Sequence, residues 1–164
     1  MMAKTNCSSK LLTVIQLVDL VPAIRAAGKS IVATSGVFDL WHDGHAYYLE
    51  DAGLLGDILI VGVDADKLVS SRKGPNRPIY NEDLRLNLVA ACGAVDYALL
   101  MEDWSIFMRL VSPHVIVISP TTEDGNTINQ HRLALSVGAE IRLVESRSNA
   151  HTSDIIRRII NTCA

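Results

Sequence analysis

No apolar run in the chain approaches the length needed to span a bilayer. The three cysteines, Cys7, Cys92 and Cys163, make no CxxC pair and no disulfide framework. An odd, scattered set of thiols fits a reducing compartment. Basic residues are not in excess either: 15 Lys and Arg face 18 Asp and Glu, for a formal charge of -3. That balance disfavours a nucleic-acid partner, so any phosphate must be met by local Lys and Arg. Internal repeats and linkers are missing. Near the N-terminus, Gln16, Asp19 and Arg25 interrupt the apolar positions, which excludes a signal-peptide core. These absences leave an expected single domain over 1–164, cytoplasmic and without a membrane partner, whose polar residues 1–10 read as loose.

The 49% hydrophobic content is dealt out in short blocks. Near-continuous apolar runs at 31–34, 57–63, 97–100, 115–118 and 140–144 read as buried parallel strands. Between them lie helical patterns at about 17–27, 46–52, 82–91, 103–111 and 129–137, with a last one at 152–161 and a short one ending near Ser71. Pro22 is unusual inside the first of these, and Gly28 supplies its C-cap. Strict alternation predicts an α/β fold: one doubly wound, Rossmann-like, five-stranded parallel sheet with helices on both faces. Gly28-Lys29-Ser30 imitates the end of a P-loop. Ala23 stands where that motif needs its first glycine, and the segment precedes its strand instead of following it, so it is rejected.

The chain is organised around Gly36-Val37-Phe38-Asp39-Leu40-Trp41-His42-Asp43-Gly44-His45, between the first strand and the helix after it. A strand, a tight turn and a helix N-terminus together form an anion site. Histidines three apart at a helix start lie on one face, where both rings can donate N–H bonds to one phosphate. Zinc ligation lacks a partner set, because His114, His131 and His151 are scattered, and no metal ligand is assigned. Asp64 and Asp66 follow the second strand at the edge where open α/β sheets bind ligands. Ser71 to Pro78 forms a basic loop carrying Arg72, Lys73 and Arg77, suited to gripping phosphate.

The ten-residue segment matches the GxFDxxHxGH signature and resembles the cytidylyltransferase-like nucleotidyltransferases. The resemblance covers nearly the whole chain. It is best to the adenylyltransferase half of bifunctional heptose 1-phosphate kinase/adenylyltransferases, through the 57–66 strand, the Lys73-Gly74-Pro75-Asn76-Arg77-Pro78 loop, Glu82-Asp83-Leu84-Arg85 and Thr152-Ser153-Asp154. It implies that His42 and His45 hold the α-phosphate, that Lys73 and Arg85 are directed at phosphate, and that Thr152 and Ser153 meet the β- and γ-phosphates. Gly36, Val37, Phe38 and Gly44 would lie along the nucleotide. Asp39 would brace the turn, and Asp64, Asp66 and Arg77 would face the acceptor. Mg²⁺ bridging the phosphates and a homodimer are further implications of the family.

Two departures stand out. Ser35 replaces an Asn before the signature glycine, and 118–124 lacks the Lys, glycine pair and aligned Asp found after the fourth strand in the heptose enzymes. The expected reaction joins a nucleoside triphosphate, ATP before others, to a phosphorylated sugar or alcohol with release of pyrophosphate. Heptose 1-phosphate leads as acceptor. CTP with glycerol 3-phosphate is the alternative within the class, and a nucleotide-binding protein without turnover is the alternative outside it. Trp104, beginning a helix, reads as core packing.

Overall fold

The structure is a computed structural model describing residues 6–119, 127–145, 147–148 and 150–163. Five strands alternate with the helices: β1 (Ile31–Gly36), β2 (Ile58–Asp64), β3 (Tyr97–Met101), β4 (Val115–Ile118) and β5 (Glu140–Leu143). All are parallel, in the order β3-β2-β1-β4-β5. The expected α/β sheet is therefore present. Its order reverses beside β1, between β1 and β4, and there a crevice opens at the carboxyl edge.

Alternation along the strands sorts the core into two layers. Ile31, Ala33, Ile60 and Ile116 pack with Leu17, Val21 and Ile24 of α1 (Val14–Ala26) and with Phe107, Met108 and Val111 of α5 (Trp104–Val111). Leu133 and Ala134 of α6 (Thr127–Val137) join that layer. Val32, Leu59, Val61 and Val63 face the other way, onto Leu49 and Ala52 of α2 (Asp43–Gly53) and Val89 and Ala90 of α4 (Glu82–Ala91). Helices thus cover both faces.

Several helix ends are set by side chains. Thr13 and Gln16 form a capping box at α1, which starts three residues before the apolar periodicity predicts and runs through Pro22. Gly28 ends that helix with φ +71°, a conformation open mainly to glycine. Asn81 and Asp103 cap α4 and α5 by accepting from Leu84 and Ile106 N–H. α3 (Asp66–Lys73) is longer than its sequence pattern suggests, so Arg72 and Lys73 occupy its last turn and not a loop. Residues 7–10 are not loose. They form a 3-10 turn anchored by Lys10, whose Nζ donates to the Cys92 and Val95 carbonyls at 3.0 and 2.7 Å. Residues 1–5 and the departing loop from Pro120 to Asn126 lie outside the described residues. Among the described residues, no helix is long and apolar enough to cross a membrane.

Candidate active site

A cavity of about 1200 Å³ lies over the β1/β4 switch point. Its floor is the turn from Ser35 to Asp39. Its walls bring together the starts of α2 and α7 (Thr152–Cys163), the end of α3 and the segment from Met101 to Ser105.

The turn is an unusual piece of backbone. Phe38 and Leu40 both have positive φ, 53° and 45°, which side chains other than glycine rarely adopt. What holds Phe38 there is burial of its ring within the α2/α4 core layer. Asp39 holds the rest. Its carboxylate accepts from the N–H of Leu40, Ile79 and Tyr80 at 2.9–3.0 Å and pairs with Arg77 at 2.9 Å. Asp39 therefore braces the turn and also fastens the 77–80 segment to it.

His42 and His45 follow, with rings stacked 3.8 Å apart and 25° from parallel. Phe38 meets His45 edge-on at 5.5 Å, and Trp41 lies 5.6 Å from it. Both Nδ1 atoms are buried and have no hydrogen-bond partner among the described residues. With no acceptor at Nδ1, the proton of each neutral ring belongs on Nε2, which makes Nε2 the donor available to a ligand. Gly44 permits this packing, since a Cβ there would stand 2.9 Å from the His42 ring. The Gly44 N–H donates to the Asp43 carboxylate at 2.8 Å.

Burial holds His42 below the ordinary histidine range, with the nearby His151 adding to that effect and Asp43 opposing it. Burial, then the charge of His42, pushes His45 down to about 3. Both rings are thus neutral at pH 7 and act as hydrogen-bond donors, not as fixed cations. A histidine harder to protonate when folded makes the unfolded chain bind more protons, so stability falls as pH drops from 6.5 toward 3. Urea unfolding is expected to show a loss of about 2 kcal/mol between pH 6.5 and pH 5 from His45. His45→Asn should flatten that slope, and an unchanged slope in the variant would rule out His45 as its source.

Most predicted site residues reach the cavity: Gly36, Val37, Phe38, His42, Gly44, His45, Asp64, Lys73, Arg77, Thr152 and Ser153 all line it. Their commitments differ. Asp64 is buried and ion-paired with Arg72. Burial raises its carboxyl above the ordinary range, against the pull of Arg72. Arg77 pairs with Asp39 through Nη2, while its buried Nε has no partner among the described residues. Lys73 makes no ion pair with any described residue, which makes it the cavity cation best placed to meet phosphate. The Thr152 hydroxyl donates to the Asp39 carbonyl at 2.9 Å, tying α7 to the signature turn. Ser153 is exposed in the cavity wall, and its hydroxyl makes no hydrogen bond with any described residue.

Arg85 and Asp66 are the two expected site residues that do not line the cavity. Arg85 has no exposed surface. Its Nε donates to the Tyr80 carbonyl at 2.9 Å, Nη1 to the Val37 carbonyl at 2.7 Å and Nη2 to Asp66 at 2.6 Å. Its charge is used on protein, and its reach toward phosphate is closed off by that burial. It positions the turn from behind.

Sequence reasoning also missed residues. Tyr48 lines the cavity, with its hydroxyl 2.6 Å from Thr34 Oγ1 and 3.1 Å from the Val117 carbonyl. Trp104 both packs on the core and lines the cavity beside Glu102 and Ser105. His114 is structural, its Nδ1 accepting from Ile31 N–H at 2.9 Å.

Comparison with known proteins matches this geometry. The cytidylyltransferase-like family model fits residues 33–158. The protein named Bifunctional protein HldE of Aliarcobacter butzleri is 35% identical over 158 residues, covering 95% of this chain and 32% of the relative. Its namesake in Methylococcus capsulatus is 36% identical over 152 residues, covering 92% and 32%. The chain therefore spans about a third of the length of these curated relatives. Among solved structures, the lipopolysaccharide core biosynthesis protein from Thermoplasma volcanium aligns with a TM-score of 0.62 at 29% identity, covering 75% of this chain and 100% of that one. Pantothenate synthetase from Thermus thermophilus, at 14% identity and a TM-score of 0.62 over 83% of this chain and 61% of its own, shares the fold. The family match runs from β1 through both histidines and every wall of the cavity into α7, and on that ground the chain belongs to the cytidylyltransferase-like family.

Proposed function

We propose that this protein is an adenylyltransferase joining ATP to D-glycero-β-D-manno-heptose 1-phosphate, with ADP-heptose and pyrophosphate as products. The observation that carries the reading is the stacked, neutral His42–His45 pair at the cavity floor, with both Nδ1 atoms buried and Nε2 left to donate. Relatives that are 35–36% identical to this chain over about a third of their own length and are named bifunctional, together with the lipopolysaccharide protein among the solved structures, support the heptose acceptor over glycerol 3-phosphate.

In this reaction an oxygen of the acceptor phosphate forms a bond to the α-phosphorus. The bond from that phosphorus to the α,β-bridging oxygen breaks, and pyrophosphate leaves with the electron pair. The attacking phosphate is already ionised, so no general base is needed. His42 and His45 donate to the non-bridging α-oxygens as charge builds on them, and Lys73 neutralises phosphate at the cavity edge. Trp104 and Glu102 give the wall an aromatic face and a carboxylate, which suit a polyhydroxylated acceptor.

Mg²⁺, when bound, supplies charge neutralisation along the triphosphate. The donors present fit an ion carried mainly by phosphate oxygens and water. Among the described residues no group of three His, Cys, Asp or Glu could cage a metal. Asp39, Asp64, Asp103 and Asp154 are already bonded to described residues, so Glu102 is the cavity carboxylate that would be free to hold such an ion. A cytoplasmic homodimer belongs to the same proposal, and sedimentation velocity tests its oligomeric part.

The deciding experiment is pyrophosphate release with Mg²⁺, crossing ATP and CTP with heptose 1-phosphate and glycerol 3-phosphate. Turnover is expected with ATP and the heptose phosphate. Turnover with another pair alone would discard the heptose assignment, and nucleotide binding without turnover on any pair would discard the enzyme.

A further inference from the structure

Strand pairing at the switch point stops early. β1 runs to Gly36 and β4 to Ile118, yet their ladder ends with Val32 opposite Val115 and Ala33 opposite Ile116. On its other side β1 stays paired with β2 as far as Gly36. In a parallel ladder of this register, the next rung would carry the Ser35 N–H to the Val117 carbonyl. That carbonyl has other donors. Thr34 Oγ1 lies 3.0 Å from it and the Tyr48 hydroxyl 3.1 Å, while the two hydroxyls are 2.6 Å apart. Hydroxyls from β1 and α2 therefore take the place of the rung that would close the gap.

Thr34 has no exposed surface, and Tyr48 reaches it from the cavity wall, three residues after His45 on α2. Burial raises the Tyr48 hydroxyl above the ordinary tyrosine range, against the effect of its bond to Thr34, so it is protonated at any working pH. One hydroxyl donates to the other, and the second donates to Val117. Either direction of this relay satisfies the carbonyl, and so does either hydroxyl alone. Stripped of both, the carbonyl would be left to draw the Ser35 N–H across and zip β1 to β4, because an unpaired buried carbonyl is costly. Ser35, Gly36, Val117 and Ile118 line the cavity at this gap, and none of them carries a charge. Such a lining suits a nucleoside better than its phosphates.

We propose that Thr34 and Tyr48 are positioning residues that hold β1 and β4 apart, keeping open the slot between the strand ends that receives the nucleoside part of the nucleotide. This rests on the nucleotidyl-transfer reading above and adds to it a device for nucleoside binding, separate from the groups that face phosphate. Its signature is redundancy. Each hydroxyl covers for the loss of the other, and loss of both closes the slot.

The test is equilibrium binding of AMP and of pyrophosphate to the wild-type protein, Thr34→Val, Tyr48→Phe and the double variant, with circular dichroism melts to confirm folding. Each single variant is expected to bind AMP within about twofold of wild type and the double variant about tenfold more weakly, with pyrophosphate unchanged throughout. Thr34→Ser combined with Tyr48→Phe keeps one hydroxyl and should bind AMP as the single variants do. A double variant with wild-type affinity for AMP would overturn the proposal. So would an equal loss for pyrophosphate, which would mean that the hydroxyls steady the site as a whole. KM for ATP should rise with the AMP loss while kcat holds within about threefold, because His42 and His45 keep their places. A fall in kcat at unchanged KM would assign the hydroxyls to α2 and overturn the proposal as well. Amide hydrogen exchange on the wild type needs no variant to fold: the Ser35 N–H should exchange at least about tenfold faster than that of Ala33, and AMP but not pyrophosphate should slow it. Equal protection of the two amides in the free protein, or no slowing with AMP, would sink the idea. A protein that binds AMP but never releases pyrophosphate from ATP would remove the enzyme reading while the variants still decide the role of the gap. One that binds neither ligand overturns both.

Discussion

His42→Ala is expected to lower kcat for pyrophosphate release by two to three orders of magnitude while leaving the fold intact. The size follows from the geometry of donation. The His42 ring lies against Gly44, its Nδ1 is buried without a partner among the described residues, and Nε2 is the edge that can meet the α-phosphate. Removing one preorganised donor to a developing anion typically costs a factor of about 10² to 10³ in kcat. Since that charge grows in the transition state, KM for ATP should change much less than kcat. His45→Asn should fall in the same range. The double variant should be far less impaired than the product of the two losses, because rings stacked at 3.8 Å serve one phosphate as a unit. Steady-state kinetics on the three variants reads this directly. A His42→Ala enzyme keeping a tenth or more of wild-type kcat would remove the ring from the chemistry.

The fold was legible because buried parallel strands are nearly continuous apolar runs, and all five strands lie within two residues of those runs. Helix boundaries were harder for a specific reason. Val14, Ile15 and Val18 are apolar yet largely exposed, so the first turn of α1 carries no amphipathic signal. The site was legible where chemistry is local: His42, Gly44 and His45 act within one turn of helix. It was not legible where partners are distant. That Asp39 would fasten Ile79 and Tyr80, forty positions on, cannot be read from spacing. Nor can the bonds that Ser148 and Arg147 make to Asp43 and Asp51 of α2, about a hundred positions earlier.

Arg85 lies furthest from the place its sequence suggests, and the cause is physical. Leu84 and Leu88 suggest one buried face for α4, but the helix is turned by about one residue. Arg85, Val89 and Ala90 face inward, while Leu84 is 43% exposed. A polarity-based reading cannot place an arginine in a core, because such burial is tolerable only when every donor finds a partner. Here the partners are the carbonyls of Val37 and Tyr80 and the carboxylate of Asp66, gathered from three separate segments.

That arrangement gives the second large effect. Arg85→Ala is expected to lose about 3 kcal/mol or more of folding stability. Truncation would strip the Val37 and Tyr80 carbonyls of their donors and leave a void beneath the signature turn. Asp66→Asn should cost less than Arg85→Ala, because Asp66 is 40% exposed and an Asn amide oxygen can still accept from Arg85 Nη2. This asymmetry separates a brace from a phosphate ligand. A brace gives a lowered urea midpoint, with activity at low temperature falling through kcat as Val37 and Phe38 lose their register beside the nucleotide. A phosphate ligand gives normal stability with a raised KM for ATP. With the guanidinium sealed off from the cavity and all three donating nitrogens satisfied by protein, the first pattern is the expected one. A fully stable Arg85→Ala protein with weakened ATP binding would return this residue to the phosphate site.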